Sequence, residues 1–149
     1  MPAPLLTVIV PSYNSQDYLD RAMTSLVGYG DEVEVIIVDD GSKDATGGIA
    51  DDWASRYGSV RVIHQENKGH GGAVNAGVAA AAGTHVRVVD SDDWLDRKAL
   101  AAVLDVLREE RAAGRELDLL VTNYVYEKQG KAHKAVIRYR NVLPRGRVF

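Results

Sequence analysis

The sequence predicts an α/β protein: a doubly wound, mostly parallel sheet flanked by helices, with a β-hairpin or sheet extension at its C-terminal end. Three observations carry this. Four short β-branched runs lack polar alternation, as strands covered on both faces do. Segments with helical apolar spacing separate them, so β and α alternate. After residue 116 the alternation stops, and two strand-like segments follow one another. The expected organisation is an α/β domain over residues 1–115 and the start of an extension over 116–149.

The predicted strands are Leu5–Val10, Val33–Val38, Val60–Ile63 and Thr84–Val89. Ser15 is placed to cap a first helix with Tyr18, Leu19, Ala22, Met23 and Leu26 inward. Asp44 is placed to cap a second, with Ile49, Ala50, Trp53 and Tyr57 on one face. Residues 72–82 form an Ala-rich third helix whose small side chains allow close approach to the sheet. Asp96 opens a fourth, with Leu100, Val103, Leu104 and Leu107 inward, and Gly114 ends it. Leu117–Val125 and Ala132–Tyr139 read as two strands joined by a turn at Gln129-Gly130, and Pro144–Arg147 reads as loop.

At 149 residues the chain is one domain's length, enough to bury about 70% of its unfolded surface. It has no cysteine, which excludes disulfides, zinc–thiolate sites and thiol nucleophiles. No apolar run approaches the ~20 residues of a membrane span, and no signal-peptide pattern is visible. The cytoplasm is the expected compartment. The net charge of −3 hides an asymmetry: residues 1–94 hold 6 Lys/Arg against 14 Asp/Glu, and residues 95–149 hold 12 against 7. Most of the positive excess lies beyond residue 120. It is either a solvated strand pair or a surface facing an anionic substrate or membrane.

Ligands of open parallel sheets bind at the carboxyl ends of the strands. The first such segment, Pro11-Ser12-Tyr13-Asn14, has no glycine, and a Walker pattern is absent, so neither a dinucleotide fingerprint nor a P-loop is present. Asp90-Ser91-Asp92-Asp93 follows the fourth strand. Three carboxylates within four residues repel one another unless a cation or water screens them. Their hard oxygens suit Mg²⁺ or Mn²⁺. In an extended segment Asp90 and Asp92 would face the same way. The alternative is a helix cap, a role that Asp93 or Asp96 alone would fill.

Asp39-Asp40-Gly41-Ser42 follows the second strand. A carboxylate there can accept the imide N–H of a uracil or thymine ring, and Gly41 permits the tight turn. A solvated, helix-capping turn is the alternative, and it suits Asp40 or Ser42 better than Asp39. Asn67-Lys68-Gly69-His70-Gly71-Gly72 precedes the third helix, where backbone N–H groups and Lys68 favour phosphate oxygens. The alternative there is a flexible loop with tight helix–sheet packing. Tyr13 is either a platform for a stacked base or a partly buried loop aromatic. His64 and His85 read as structural.

Taken together, these segments resemble the family 2 glycosyltransferases of GT-A (Rossmann-like) fold, of the bacterial surface or capsular polysaccharide type. The residues that carry the resemblance are Val8–Asn14, Val35–Asp44, Asn67-Lys68-Gly69 with Asn75-Ala76-Gly77, and Val89–Asp93, with Asn123–Tyr126 later. The resemblance implies an inverting, hexosyltransferase-type transfer of a sugar from a nucleotide-sugar donor, a UDP-sugar, to a glycan or lipid-linked acceptor. Pro11, Tyr13 and Asn14 would belong to the donor pocket. Asp39 would bond the base, with Asp40 as alternative, and Lys68 would lie near the ribose or diphosphate. Asn75, Asp90 and Ser91 would also face the donor. Asp92 would ligate Mn²⁺ or Mg²⁺ directly, with Asp90 touching the ribose or a metal-bound water.

Two departures stand out. Val74 occupies a position where many members carry Arg. The general base is expected beyond Phe149, so this chain reads as the donor-binding part of a longer enzyme. The competing reading is a non-catalytic module that binds nucleotide sugar. A nucleotidyltransferase is disfavoured, because Pro11–Gln16 lacks the Gly and basic residues that hold a triphosphate. No nucleic-acid partner is expected. Peripheral association with the inner face of the membrane is compatible with the basic segment. The sugar, the acceptor and the oligomeric state are not legible.

Overall fold

The computed structural model describes residues 2–115, 117–128 and 130–140. By internal contacts the chain divides into two units, Met1–Ala113 and Gly114–Phe149. In the first unit the elements run β1 (Leu6–Ser12), α1 (Leu19–Leu26), β2 (Val33–Asp40), α2 (Thr46–Arg56), β3 (Val60–Gln65), α3 (Gly69–Ala80), β4 (His85–Val88) and α4 (Arg97–Ala112). The four strands form one parallel sheet in the order β3-β2-β1-β4. The second unit holds β5 (Tyr124–Glu127) and β6 (Lys134–Ile137), an antiparallel pair forming its own two-stranded sheet. The C-terminal element is therefore a hairpin. Its strands are shorter than predicted, and Gln129 and Pro144–Arg147 lie outside the described residues.

Every residue of β1 and β2 is buried, the apolar majority and the polar Thr7, Ser12, Glu34, Asp39 and Asp40 alike. β3 and β4 are edge strands and only half covered; Val86 and Val88 are exposed. Covering on both faces holds for the inner pair alone, because an edge strand has a helix layer over only part of its width. Ile9, Ile36, Val38 and Ala73 are among the buried core, with Ile63, Ala76 and Ala80 packed against them. These residues put α3 on the sheet. Gly77 sets the distance: a Cβ there would collide with the Ile9 side chain.

The helix boundaries carry two corrections. α1 begins at Leu19 with no side-chain cap; the Ser15 carbonyl accepts from Tyr18 and Leu19, while the Ser15 hydroxyl is engaged elsewhere. Tyr18, expected inward, precedes the helix and is exposed. α3 starts at Gly69 rather than residue 72, three residues inside what read as loop. Asp96 caps α4, accepting the Ala99 N–H at 2.8 Å, and Gly114 takes the left-handed φ of 67° after its end. Among the described residues no helix is long and apolar enough to cross a membrane.

Ala at a helix-interior glycine normally gains up to ~1 kcal/mol. At Gly77 the collision with Ile9 reverses the sign, and overpacking costs about 1–3 kcal/mol. Gly77→Ala is expected to lower unfolding free energy by about 1–2 kcal/mol in urea titration. Val78→Ala, at an exposed neighbour, should change it by less than ~0.5 kcal/mol.

Candidate active site

The strand order reverses direction at β1: β2 and β3 lie to one side of it and β4 to the other. A crevice at such a reversal, beyond the carboxyl ends, is where open α/β sheets hold ligands. The loops after β1 and β4 flank it. They are joined by the Ser15 and Ser91 hydroxyls, 2.7 Å apart. His70, in the first turn of α3, brings its Nε2 to 2.8 Å from Asp90 Oδ1.

The loop after β1 is stitched to the loop after β2 by reciprocal bonds. The Asn14 N–H donates to Ser42 Oγ at 3.0 Å, and the Lys43 N–H donates to Asn14 Oδ1 at 2.9 Å. The Ser15 N–H donates to the buried Thr46 hydroxyl at 2.7 Å, and the Ala45 N–H to Gln16 Oε1 at 3.1 Å. Asn14 does this at a φ of +48°, a conformation Asn tolerates better than most residues. Asp44, expected as the cap of α2, precedes the capping position Ala45, and its Oδ1 accepts the Thr46 N–H at 2.9 Å at the start of the helix.

Adjacent carboxylates at the end of β2 take different work. Asp40 is buried, and its Oδ1 accepts from Gln65 Nε2 at 2.7 Å and from the Lys68 N–H at 2.8 Å. Burial alone would push this carboxyl up. The Gln65 bond, the N–H groups of Lys68 and Gly69, and the Lys68 charge outweigh it and hold the acid below its usual range. Asp40 thus anchors the start of α3 and takes the Lys68 N–H, one of the donors that the sequence reading offered to a phosphate. Asp39 is buried beside it, with Oδ1 taking the Ser42 N–H at 3.1 Å and Oδ2 lying 3.0 Å from His64 Nδ1. Gly41, at a φ of 74°, makes the turn; a Cβ there would stand 2.8 Å from the Asn67 nitrogen.

After β4, the Asp93 N–H bonds the Asp90 carbonyl at 2.9 Å. The acidic segment closes a turn, so the alternation of an extended strand does not align Asp90 with Asp92. Asp90 and Asp92 are exposed, and Ser91 is half-buried. Burial, then the charges of Asp92 and Asp90, push the Asp93 carboxyl up. Tyr13 is 49% exposed, which suits a stacking platform and a partly buried loop aromatic alike. Pro11 is buried in β1 opposite Val38, and Lys68 and Asn75 are exposed, Asn75 midway along α3. The structure therefore joins Asn14, Ser91, Asp90 and the Asp39–Asp40 pair into one carboxyl edge. His64, read as structural, bonds Asp39 and Asp51, and Ser15, read as a helix cap, bridges to Ser91. The cross-strand register that pairs His64 with Asp39 has no signal within either strand alone.

A parallel sheet carrying acidic turns at its reversal point is the architecture of the GT-A glycosyltransferases. The comparisons agree. A family model described as Glycosyl transferase family 2 matches residues 7–139. A Bacillus subtilis (strain 168) protein named as the glycosyltransferase EpsH is 38% identical over 128 residues, covering 85% of this chain and 36% of that one. Chondroitin synthase of Escherichia coli is 36% identical over 72% of this chain and 16% of its own length. Among solved structures, S. aureus TarS 1-349 in complex with UDP-GlcNAc superposes with a TM-score of 0.64 at 32% identity, over 71% of this chain and 32% of that one. The mannosyltransferase PcManGT of Pyrobaculum calidifontis, in complex with GDP-Man and Mn²⁺, gives 0.60 at 30% identity, over 70% and 32%. The chain belongs to glycosyl transferase family 2. It spans about a third of the length of the first curated relatives it matches.

Removing the Asp40 carboxylate leaves Gln65 and the start of α3 without their acceptor, at a cost of about 1–3 kcal/mol. Asp40→Ala should show that loss in denaturant unfolding. Because the folded-state pKa is depressed, this stability is present above the unfolded pKa and fades as pH falls through the folded one. Below about pH 4 the gap between wild type and Asp40→Ala should narrow. A gap unchanged down to strongly acidic pH would contradict the anchoring role.

Proposed function

We propose that this chain is the donor-binding part of an inverting, metal-dependent hexosyltransferase. It would take a nucleoside diphosphate sugar, a UDP-sugar in this reading, and serve transfer to a glycan or lipid-linked acceptor in polysaccharide biosynthesis. One observation carries the reading most directly: Ser15–Ser91 and His70–Asp90 draw the loops after β1 and β4 and the start of α3 together over the reversal point. The domain division follows, with residues 1–115 for the donor and 116–149 beginning the acceptor side.

In this reading Pro11, Tyr13 and Asn14 shape the base end, and the exposed Tyr13 ring offers the base a stacking face. Asp39 accepts the base imide N–H. Its carboxylate has lone pairs left after the Ser42 and His64 contacts. Lys68 and Asn75 face the ribose and diphosphate from α3, with Asp40 fixing the backbone that carries Lys68.

The donor set at Asp90 and Asp92 fits Mg²⁺ or Mn²⁺: hard carboxylate oxygens on an exposed turn whose mutual repulsion a cation relieves. Among the described residues no three acidic or His side chains gather into a complete cage. Two carboxylates suit an ion whose remaining ligands are phosphate oxygens and water, the habit of Mg²⁺ in phosphate sites. A cation bound there would supply Lewis-acid stabilisation of the departing diphosphate. Ser91, between the two acids, holds the turn against Ser15 and so keeps both carboxylates at the crevice. No described residue is assigned as general base.

Calorimetric titration tests this reading. UDP in Mn²⁺ should bind tighter than GDP or ADP: Asp39 accepts an imide N–H, which adenine lacks, and the preference over guanine rests on the family resemblance. Asp92→Ala should weaken UDP binding in Mn²⁺ roughly tenfold or more, ~1.4 kcal/mol. Its unfolding free energy should stay within ~0.5 kcal/mol of wild type, since the side chain is an exposed member of a repulsive cluster. Equal affinities for the three diphosphates would contradict the base assignment. A metal-independent affinity, unchanged in Asp92→Ala, would contradict the metal assignment.

A further inference from the structure

We propose that His64 is the positioning residue for Asp39, fixing the carboxylate that reads the nucleotide base. The inference rests on the functional reading above and deepens it. His64 lies in β3 directly opposite Asp39 of β2 in the parallel register. Its Nδ1 is 3.0 Å from Asp39 Oδ2, and its Nε2 is 3.0 Å from Asp51 Oδ1 of α2. The other Asp39 oxygen takes the Ser42 N–H. Gly47 of α2 closes the pocket: a Cβ there would stand 2.9 Å from Asp39 Oδ2 and 3.5 Å from His64 Cε1. The carboxylate is thus gripped at both oxygens, and a glycine admits the grip.

The two acids facing the ring are not equivalent. The Asp39 side chain is 9% exposed and cannot turn away, whereas that of Asp51 is 64% exposed and can. A neutral imidazole has one N–H, so only the imidazolium donates to both. The bonds from Asp51 and then Asp39 outweigh burial and raise the His64 pKa above its ordinary value. The charged groups that face the ring are Asp39 from β2 and Asp51 from α2. The double grip is therefore complete below the His64 pKa and weakens as pH rises through it. The neutral ring has one N–H for the two acids, so the tautomer that serves Asp51 leaves Asp39 Oδ2 without its donor, and UDP affinity falls as pH rises through the His64 pKa.

Inorganic pyrophosphate and UDP separate this role from general structural damage, since only UDP carries a base. Both are titrated into the full chain in Mn²⁺ between about pH 6 and 8.5, and the pyrophosphate arm reports the diphosphate's own titration. His64→Ala is expected to weaken UDP about five- to tenfold and leave pyrophosphate within about twofold. His64→Asn, whose amide N–H stands near the Nδ1 position at every pH, should recover most of the UDP affinity and flatten its pH profile. Asp51→Asn should move the wild-type fall in UDP affinity to lower pH. Equal losses for both probes in His64→Ala would overturn the proposal, as would unchanged UDP binding in that variant. Pyrophosphate binding without any UDP preference in wild type would overturn the base assignment and this inference with it. Failure of wild type to bind either probe would overturn the functional reading itself.

Discussion

Every residue of β1 and β2 is buried, and a strand pair without a solvent face can carry polar chemistry only where each buried polar group has a partner. The amino-terminal end meets this requirement internally. The Thr7 hydroxyl donates to Glu34 at 2.7 Å, Glu34 also accepts the Ala82 N–H, and Arg61 forms an ion pair with it. The turn between α3 and β4 is tied there as well, through the Gly83 N–H on Thr7. The carboxyl end is met differently. Asp39 and Asp40 satisfy some lone pairs within the fold and retain others at the crevice. The same constraint thus makes one end of the sheet a closed structural lock and the other a ligand edge.

Alternation along β2 divides the labour between those two acids. Successive side chains of a strand point to opposite faces. Asp40 and its cross-strand neighbour Gln65 turn toward the α3 side, and Asp39 and His64 turn toward α2. One carboxylate therefore secures the start of the helix that carries His70, while its neighbour, in the function proposed above, serves the base. His70 then reaches Asp90, so the segment Asp40 anchors also touches the acidic turn. The site is a chain of short polar contacts linking all four strand ends.

The elements whose signal is local were legible in the sequence. The apolar runs at Val8–Val10 and Val35–Val38, the Asp96 cap and the Gly114 stop all follow from residues within one turn or strand. Other features needed more than local signal, most of them partners far along the chain. Gly69-His70-Gly71-Gly72 has low helix propensity and read as loop, yet it forms the first turn of α3 because Asp40, 28 residues away, accepts the Lys68 N–H. Ser15 had the composition of a cap, but the Ser91 hydroxyl claims its side chain. Asp90 and Asp92 read as facing alike only while their segment was taken as extended, and the turn closed by Asp93 removes that alignment. His64 read as structural, and its pairing with Asp39 lies in the register between β2 and β3, which neither strand shows alone.

In the function proposed above, one edge of the sheet, at the carboxyl ends of its strands, holds both the cation and the nucleotide. Paramagnetic relaxation by Mn²⁺ tests it directly on assigned amide resonances, with and without UDP. The account predicts broadening at Ser91, Asp92 and His70, extending to Ser15 and Lys68 when UDP is present, with the Glu34, Ala82 and Gly83 end of the sheet unaffected. Broadening centred on that opposite end, or on the β5–β6 hairpin, would contradict it.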